Sequence, residues 1–185
     1  MLYSNGVRLR AIDRPDLPPF VDWFNDPEVR SGLAICLPMS GVQEENWFAR
    51  VLQGPAEEFP LMIEIPDQEN WKPIGSCGFK QIDWRNRSAT LGISIGDKAS
   101  WNQGHGTETM ELLLDHGFGT LNLHRIWLQV YRGNPRAIRC YEKAGFIHEG
   151  CFREAHYRDG KYEDALIMSV LKPEWQKRRR SIVNE

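Results

Sequence analysis

Two strand patterns, Ala89 to Ile95 and Arg125 to Tyr131, are separated by one long helical pattern, Thr107 to Leu121, entered through the run Trp-Asn-Gln-Gly-His-Gly at 101–106. Upstream, the apolar runs Phe59 to Ile65, Ile74 to Ile82 and Ala89 to Ile95 are separated by segments, 66–73 and 83–88, of turn length and composition. Downstream, Phe146 to Tyr157 and Tyr162 to Leu171 flank Asp159-Gly160, a dipeptide that favours a tight hairpin. Strands joined by turns and strands joined by helices cannot all run in one direction, so the chain is an α/β protein with a mixed sheet.

The remaining elements fit one domain. Val7 to Ile12 alternates apolar and basic residues as a strand does. Leu17 to Asn25 and Gln43 to Leu52 place apolar residues at helical spacing. Asn134 is a preferred N-cap, Pro135 suits a first helical position, and Gly145 is placed to end the helix carrying Ile138, Tyr141 and Ala144. The expected domain spans residues 1–175, with 176–185 as a basic, frayed tail.

The glycine-flanked entry to the long helix bears on chemistry. A helix N-terminus presents unpaired N–H groups and a partial positive charge, and glycines let a large anion approach the backbone. The arrangement suits a pyrophosphate, although a tight turn has the same glycines. It lacks the Gly-Lys-Ser/Thr of a Walker loop and the third glycine and downstream acid of a dinucleotide fingerprint.

Strand, Trp-Asn-Gln-Gly-His-Gly, helix, strand and then Asn-Pro-Arg-Ala-Ile-Arg-Cys-Tyr-Glu-Lys-Ala-Gly-Phe at 134–146 resembles the GNAT superfamily of acyl-CoA-dependent N-acyltransferases. The runs at 115–126 and 158–169, with Glu174-Trp175, resemble its RimJ/RimL-type branch, which includes bacterial spermidine acetyltransferases. The resemblance implies a GNAT fold, with a mostly antiparallel central sheet flanked by helices and parallel fourth and fifth strands that splay apart. It implies acetyl-CoA as co-substrate, with its pyrophosphate on the backbone of Gln103, Gly104, His105, Gly106 and Thr107. The pantetheine arm would pair near Ile93, Ser94 and Ile95, and Asn134 would bind CoA or water. Tyr141 would be the general acid for the departing thiolate. A phenol near pKa 10 is a reasonable donor to a thiol near 8.5. Direct attack is the family's route, which sets aside a covalent acyl-enzyme on Cys140.

Two positions depart from the family pattern. Trp101 stands where the phosphate motif opens with Arg or Gln, and Thr90 stands where many relatives carry a glutamate base. A primary amine near pKa 10 holds its proton at pH 7 by about 4 kcal/mol, so some group or pocket must offset that. A desolvating pocket, an ordered water chain, the carboxylates of Glu64, Asp83 or Glu154, and His156 are the candidates, and the sequence does not choose among them. A CoA-binding sensor that has lost catalysis is the competing reading.

The net charge of −2 hides a split: residues 1–70 carry 5 basic and 12 acidic side chains, and residues 71–185 carry 18 and 13. The family's early helices line the acceptor side, here with Asp22, Asp26, Glu28, Glu44 and Glu45. A cationic amine acceptor follows: a polyamine, an aminoglycoside or a basic peptide N-terminus. Near-neutral charge argues against direct nucleic-acid binding. No run approaches a bilayer span, and the first 13 residues lack a signal-peptide pattern, so a cytoplasmic enzyme is expected, with homo-oligomerisation left open. Four cysteines without a Cys-x-x-Cys pair and five histidines without ligand spacing imply free thiols and no metal.

Overall fold

Both kinds of strand connection form. The computed structural model describes residues 1–183. Its strands are β1 (Leu2–Tyr3), β2 (Arg8–Ala11), β3 (Leu61–Asp67), β4 (Asn70–Asp83), β5 (Ser88–Ile95), β6 (Arg125–Tyr131), β7 (Ile147–Arg158) and β8 (Lys161–Leu171). Its helices are α1 (Leu17–Asn25), α2 (Pro27–Arg30), α3 (Gly41–Val51), α4 (His105–Asp115), α5 (Pro135–Ala144) and α6 (Lys172–Val183). The chain divides into two units, one of Met1–Phe79 with Gly92–Thr109, the other of Lys80–Leu91 with the residues from Met110 onward.

In the first unit the strands neighbour one another in the order β1-β2-β3-β4-β5, and the first three of those pairings are antiparallel. Helix α1 has the bounds its periodicity predicts, with Pro18 in its first turn and Leu17 and Phe20 buried. Those two residues join Ile12, Phe48 and Met62 in a core against which Trp23, Phe24 and Trp47 pack. The rings of Trp23 and Trp47 lie 5.4 and 6.3 Å from that of Phe20, so both tryptophans fill the core. Helix α3 begins at Gly41, ahead of its apolar pattern, because Ser40 and Gln43 exchange side-chain and backbone hydrogen bonds in a capping box. Helix α2, unforeseen in the sequence, is one turn built on Asp26, whose carboxylate accepts the N–H groups of Glu28 and Val29, with Pro27 behind it.

In the second unit the order is β5-β6-β8-β7. Strands β5 and β6 pair in parallel over only three residues each, Ser88–Thr90 against Arg125–Trp127, while β6 pairs with β8 along its whole length, from Arg125↔Leu171 to Tyr131↔Ala165. Among the described pairings, the one parallel pair is β5 with β6, and its ladder stops at Thr90 and Trp127. Ile126, Leu128 and Val130 supply one buried face of β6. Gly145, at φ 100°, closes α5 in the left-handed conformation.

The basic run Lys177 to Arg180 lies on helix α6 and not on a frayed tail. Glu174 accepts the Leu171 N–H, the Trp175 indole donates to Asp115 at 2.8 Å, the Trp175 ring lies 5.5 Å from Phe118, and Arg178 pairs with Glu111 at 3.1 Å. A charged run with one aromatic anchor carries little periodic signal, which is why its helicity is not visible in the sequence.

Candidate active site

The loop that enters α4 is held by side chains that the family motif does not feature. Ile74 stands extra to the β3–β4 register, and its carbonyl accepts the N–H groups of both Gly96 and Asp97. Lys72 and Ser100 converge on Asp97 at 2.7 and 2.6 Å. Trp101 donates its indole N–H to the Ile95 carbonyl at 2.8 Å, tying the loop to β5. Gln103 turns its side-chain amide back onto the Ala99 carbonyl, so only its main chain faces onward. Gly104 then takes φ +93° and accepts the Glu108 N–H at 3.1 Å, starting α4 at His105, two residues earlier than the apolar pattern marks. The N–H groups of His105, Gly106 and Thr107 precede that first helical bond, as an anion site at a helix N-terminus requires. The residues present therefore fit a pyrophosphate, through backbone and not through an arginine.

Ile93, Ser94 and Ile95 lie half-buried at the end of β5, in the same unit as this loop. The Ser94 carbonyl sits against Gly75, where any side chain would collide with it. The Ile95 carbonyl is already taken by Trp101, which leaves the expected pairing role to Ile93 and Ser94.

Asn134 and Tyr141 lie in the other unit, on one helix. The Asn134 Oδ1 accepts the Ala137 N–H at 3.1 Å and its backbone N–H donates to the Tyr131 carbonyl at 2.9 Å, so Asn134 is first the cap of α5. The cap uses Oδ1 and not Nδ2. Tyr141 is 7% exposed, with its ring 5.9 Å from Phe146. Burial, with the nearby Cys140 adding to it, pushes the phenol above its ordinary range, so it carries its proton at neutral pH.

Two of the candidate bases, Glu64 and Asp83, are committed elsewhere, and a third, Glu154, stands in the open. Both oxygens of buried Glu64 bind guanidinium groups, Arg8 Nε at 2.7 Å and Arg10 Nε at 2.9 Å. Asp83 accepts the Asn86 N–H and side-chain amide, bonds that hold its pKa below the ordinary value. Glu154 is exposed, at φ +51°. Thr90 donates its hydroxyl to the Lys80 carbonyl at 2.8 Å, a structural bond where the family's glutamate would stand. His156 differs: its Nε2 is buried and, among the described residues, has no hydrogen-bond partner.

The acidic surface is smaller than the charge count implies. Asp26 and Glu28 pair with Lys98 at 2.7 and 3.4 Å, and Glu45 with Arg14 at 3.2 Å. Glu44 is 1% exposed, its Oε1 has no partner, and burial pushes its carboxyl up to about 6. Glu44 is therefore not one of the surface acids: it stands one helical turn before Phe48 on the apolar face of α3, a spacing that signals its burial. No His, Cys, Asp and Glu grouping among the described residues could hold a metal, and none of the four cysteines is in a disulfide. No helix among them is long and apolar enough to cross a membrane.

Residues 7–147 match the acetyltransferase (GNAT) domain model. This chain belongs to the GNAT acetyltransferase family. Across 179 residues it is 30% identical to the uncharacterized N-acetyltransferase p20 of Bacillus licheniformis, covering 94% of this chain and 97% of that one. Across 176 residues it is 33% identical to the spermidine N(1)-acetyltransferase of Vibrio cholerae, covering 95% and 98%. The crystal structure of a Vibrio cholerae spermidine N-acetyltransferase in complex with CoA and spermine superposes with TM-score 0.83 at 28% identity, covering 94% of this GNAT chain and 99% of that one.

Proposed function

We infer that this GNAT enzyme transfers an acetyl group from acetyl-CoA to a primary amine of a polyamine, by direct attack. What carries the acceptor class is the likeness, over 94% of the chain, to an acetyltransferase structure holding CoA and spermine. Acetyl-CoA supplies the acetyl group as a thioester. The backbone of Gln103 to Thr107 binds its pyrophosphate, Ile93 and Ser94 align the pantetheine arm, and Asn134 Nδ2 holds it or a water. Tyr141 gives its proton to the departing sulfur. Because burial raises the phenol above the thiol by more than in free tyrosine, the proton moves as the C–S bond breaks and not beforehand.

Free-thiol release from acetyl-CoA, measured against spermidine, spermine, aminoglycosides, neutral amino-sugars and peptides, tests this reading. The expected result is a kcat/KM for a polyamine at least tenfold above the other classes. Clear preference for neutral amino-sugars would overturn the polyamine assignment. CoA binding without acetylation of any amine would favour a sensor, the reading that the non-acidic Thr90 keeps in play.

A further inference from the structure

We propose that His156 is the general base of this enzyme, taking the proton from the acceptor ammonium before attack; the proposal rests on the acetyltransferase reading above. The family's usual position cannot serve, since Thr90 is bonded to the Lys80 carbonyl, and Glu64 and Asp83 are engaged by other groups. His156 is brought to its place by an irregularity in β7. Between Phe152↔Ala165 and His156↔Glu163 the strand spends four residue steps where β8 spends two, so Arg153, Glu154 and Ala155 are thrown out of register. Glu154 takes φ +51° there and gives its N–H to Asp164 at 2.9 Å. Bulges of this kind re-aim a side chain and are frequent beside active sites, and a left-handed non-glycine residue has an energetic cost that the surrounding structure must offset.

The side chain so re-aimed reaches past β8 to β6. The His156 ring stacks on Tyr131 at 4.1 Å between centroids and 18° between planes. Tyr131 is the last residue of β6, four beyond Trp127, where pairing with β5 ends, and its carbonyl receives the Asn134 N–H that opens the helix of Tyr141. One nitrogen of a clamped imidazole, buried and without a protein partner, is therefore held at the strand end from which the proposed acid's helix departs. A buried polar atom left unsatisfied in the resting protein costs stability and is accounted for when a ligand's N–H completes it.

Charged groups of both signs lie around this imidazole. Glu163 stands opposite it in the β7–β8 register, with its carboxylate against Gly133. Arg158 lies over the other aromatic of the stack, 5.2 Å from the Tyr131 ring. Asp164 pairs with Arg132 at 3.1 Å, and with Cys151, Phe152, Arg153 and Glu154 it lines a cavity of about 630 Å³ at the bulge. In the reaction, neutral His156 Nε2 takes one proton from the ammonium. The freed lone pair forms the C–N bond as the C–S bond breaks, and Tyr141 protonates the sulfur. Tyr141 recovers its proton from the nitrogen that becomes the amide, and His156 releases its own to solvent.

The test is acetyl transfer from acetyl-CoA to spermidine by wild type, His156→Gln and His156→Phe across pH 6 to 10, with CoA binding measured by calorimetry. Phenylalanine keeps the stack on Tyr131 should glutamine disturb it. The expected result is a loss of at least tenfold in kcat/KM near pH 7 with CoA affinity within twofold, shrinking as pH approaches the amine's own pKa near 10. Wild-type rates with an unchanged pH profile in either variant would overturn the role, as would a loss of CoA affinity equal to the loss of rate. A wild-type enzyme inactive on every amine would instead overturn the polyamine reading and the base together.

Discussion

The indole N–H of Trp101 donates to the backbone carbonyl of Ile95 at 2.8 Å, binding the phosphate-loop entry to the end of β5. The residue that departs from the family's Arg or Gln thus does by anchoring what a charged side chain does not. Trp101→Phe keeps the ring and removes the donor. A half-buried hydrogen bond of this kind is worth about 1 kcal/mol, so thermal unfolding should fall by roughly 2–4 °C, and calorimetry should show severalfold weaker CoA binding.

Gly104 isolates the conformational requirement of the loop. An added Cβ there would meet nothing within 4 Å, yet φ is +93°. Gly104→Ala therefore adds left-handed strain of about 1–2 kcal/mol with no clash. Calorimetry should show CoA affinity reduced about tenfold or more as the loop relaxes, while Tyr141 and its surroundings, in the other unit, are untouched.

Tyr141→Phe removes the phenolic proton from a 93%-shielded ring that otherwise packs unchanged on Phe146, since 7% of it is exposed. Steady-state kinetics should show kcat lower by about tenfold or more with CoA affinity within twofold, the pattern of an interaction made in the transition state alone. Unchanged turnover would remove Tyr141 from the acid's role.

Glu44 makes stability depend on pH. Its carboxyl is raised from the ordinary 4.5 to about 6 in the folded protein. A raised acid contributes its full stability below the unfolded value and loses it as pH rises through the folded one, so this contribution declines between about 4.5 and 6 and is gone above. The shift corresponds to about 2 kcal/mol. Urea unfolding should find Glu44→Gln more stable than wild type by up to about that amount at pH 7.5, and equal to it at pH 4.5.

Sequence periodicity located the main strands and helices because their burial repeats along the chain: α1 and β6 have the bounds their apolar spacing gives. It missed β1, α2 and α6, which are too short or too charged to carry a period. The motif around Asn134 and Gly145 marked both ends of α5, since capping chemistry is local. Family resemblance named the loop and Tyr141, while the cap bond of Asn134, the Gln103 turn-back and the engaged Ile95 carbonyl depend on where neighbouring backbone lies.

By itself, then, the sequence determined the element types, the mixed strand directions and an anion-binding helix entry, all set by spacing within a few residues. Tertiary structure alone decided which ionisable groups are spent and which remain. Two guanidinium groups pair with Glu64 across strands, and a bulge turns His156 onto Tyr131. Each of these follows from partners tens of residues apart in the chain, and burial and pairing, which set a group's protonation, are properties of the fold and not of local order.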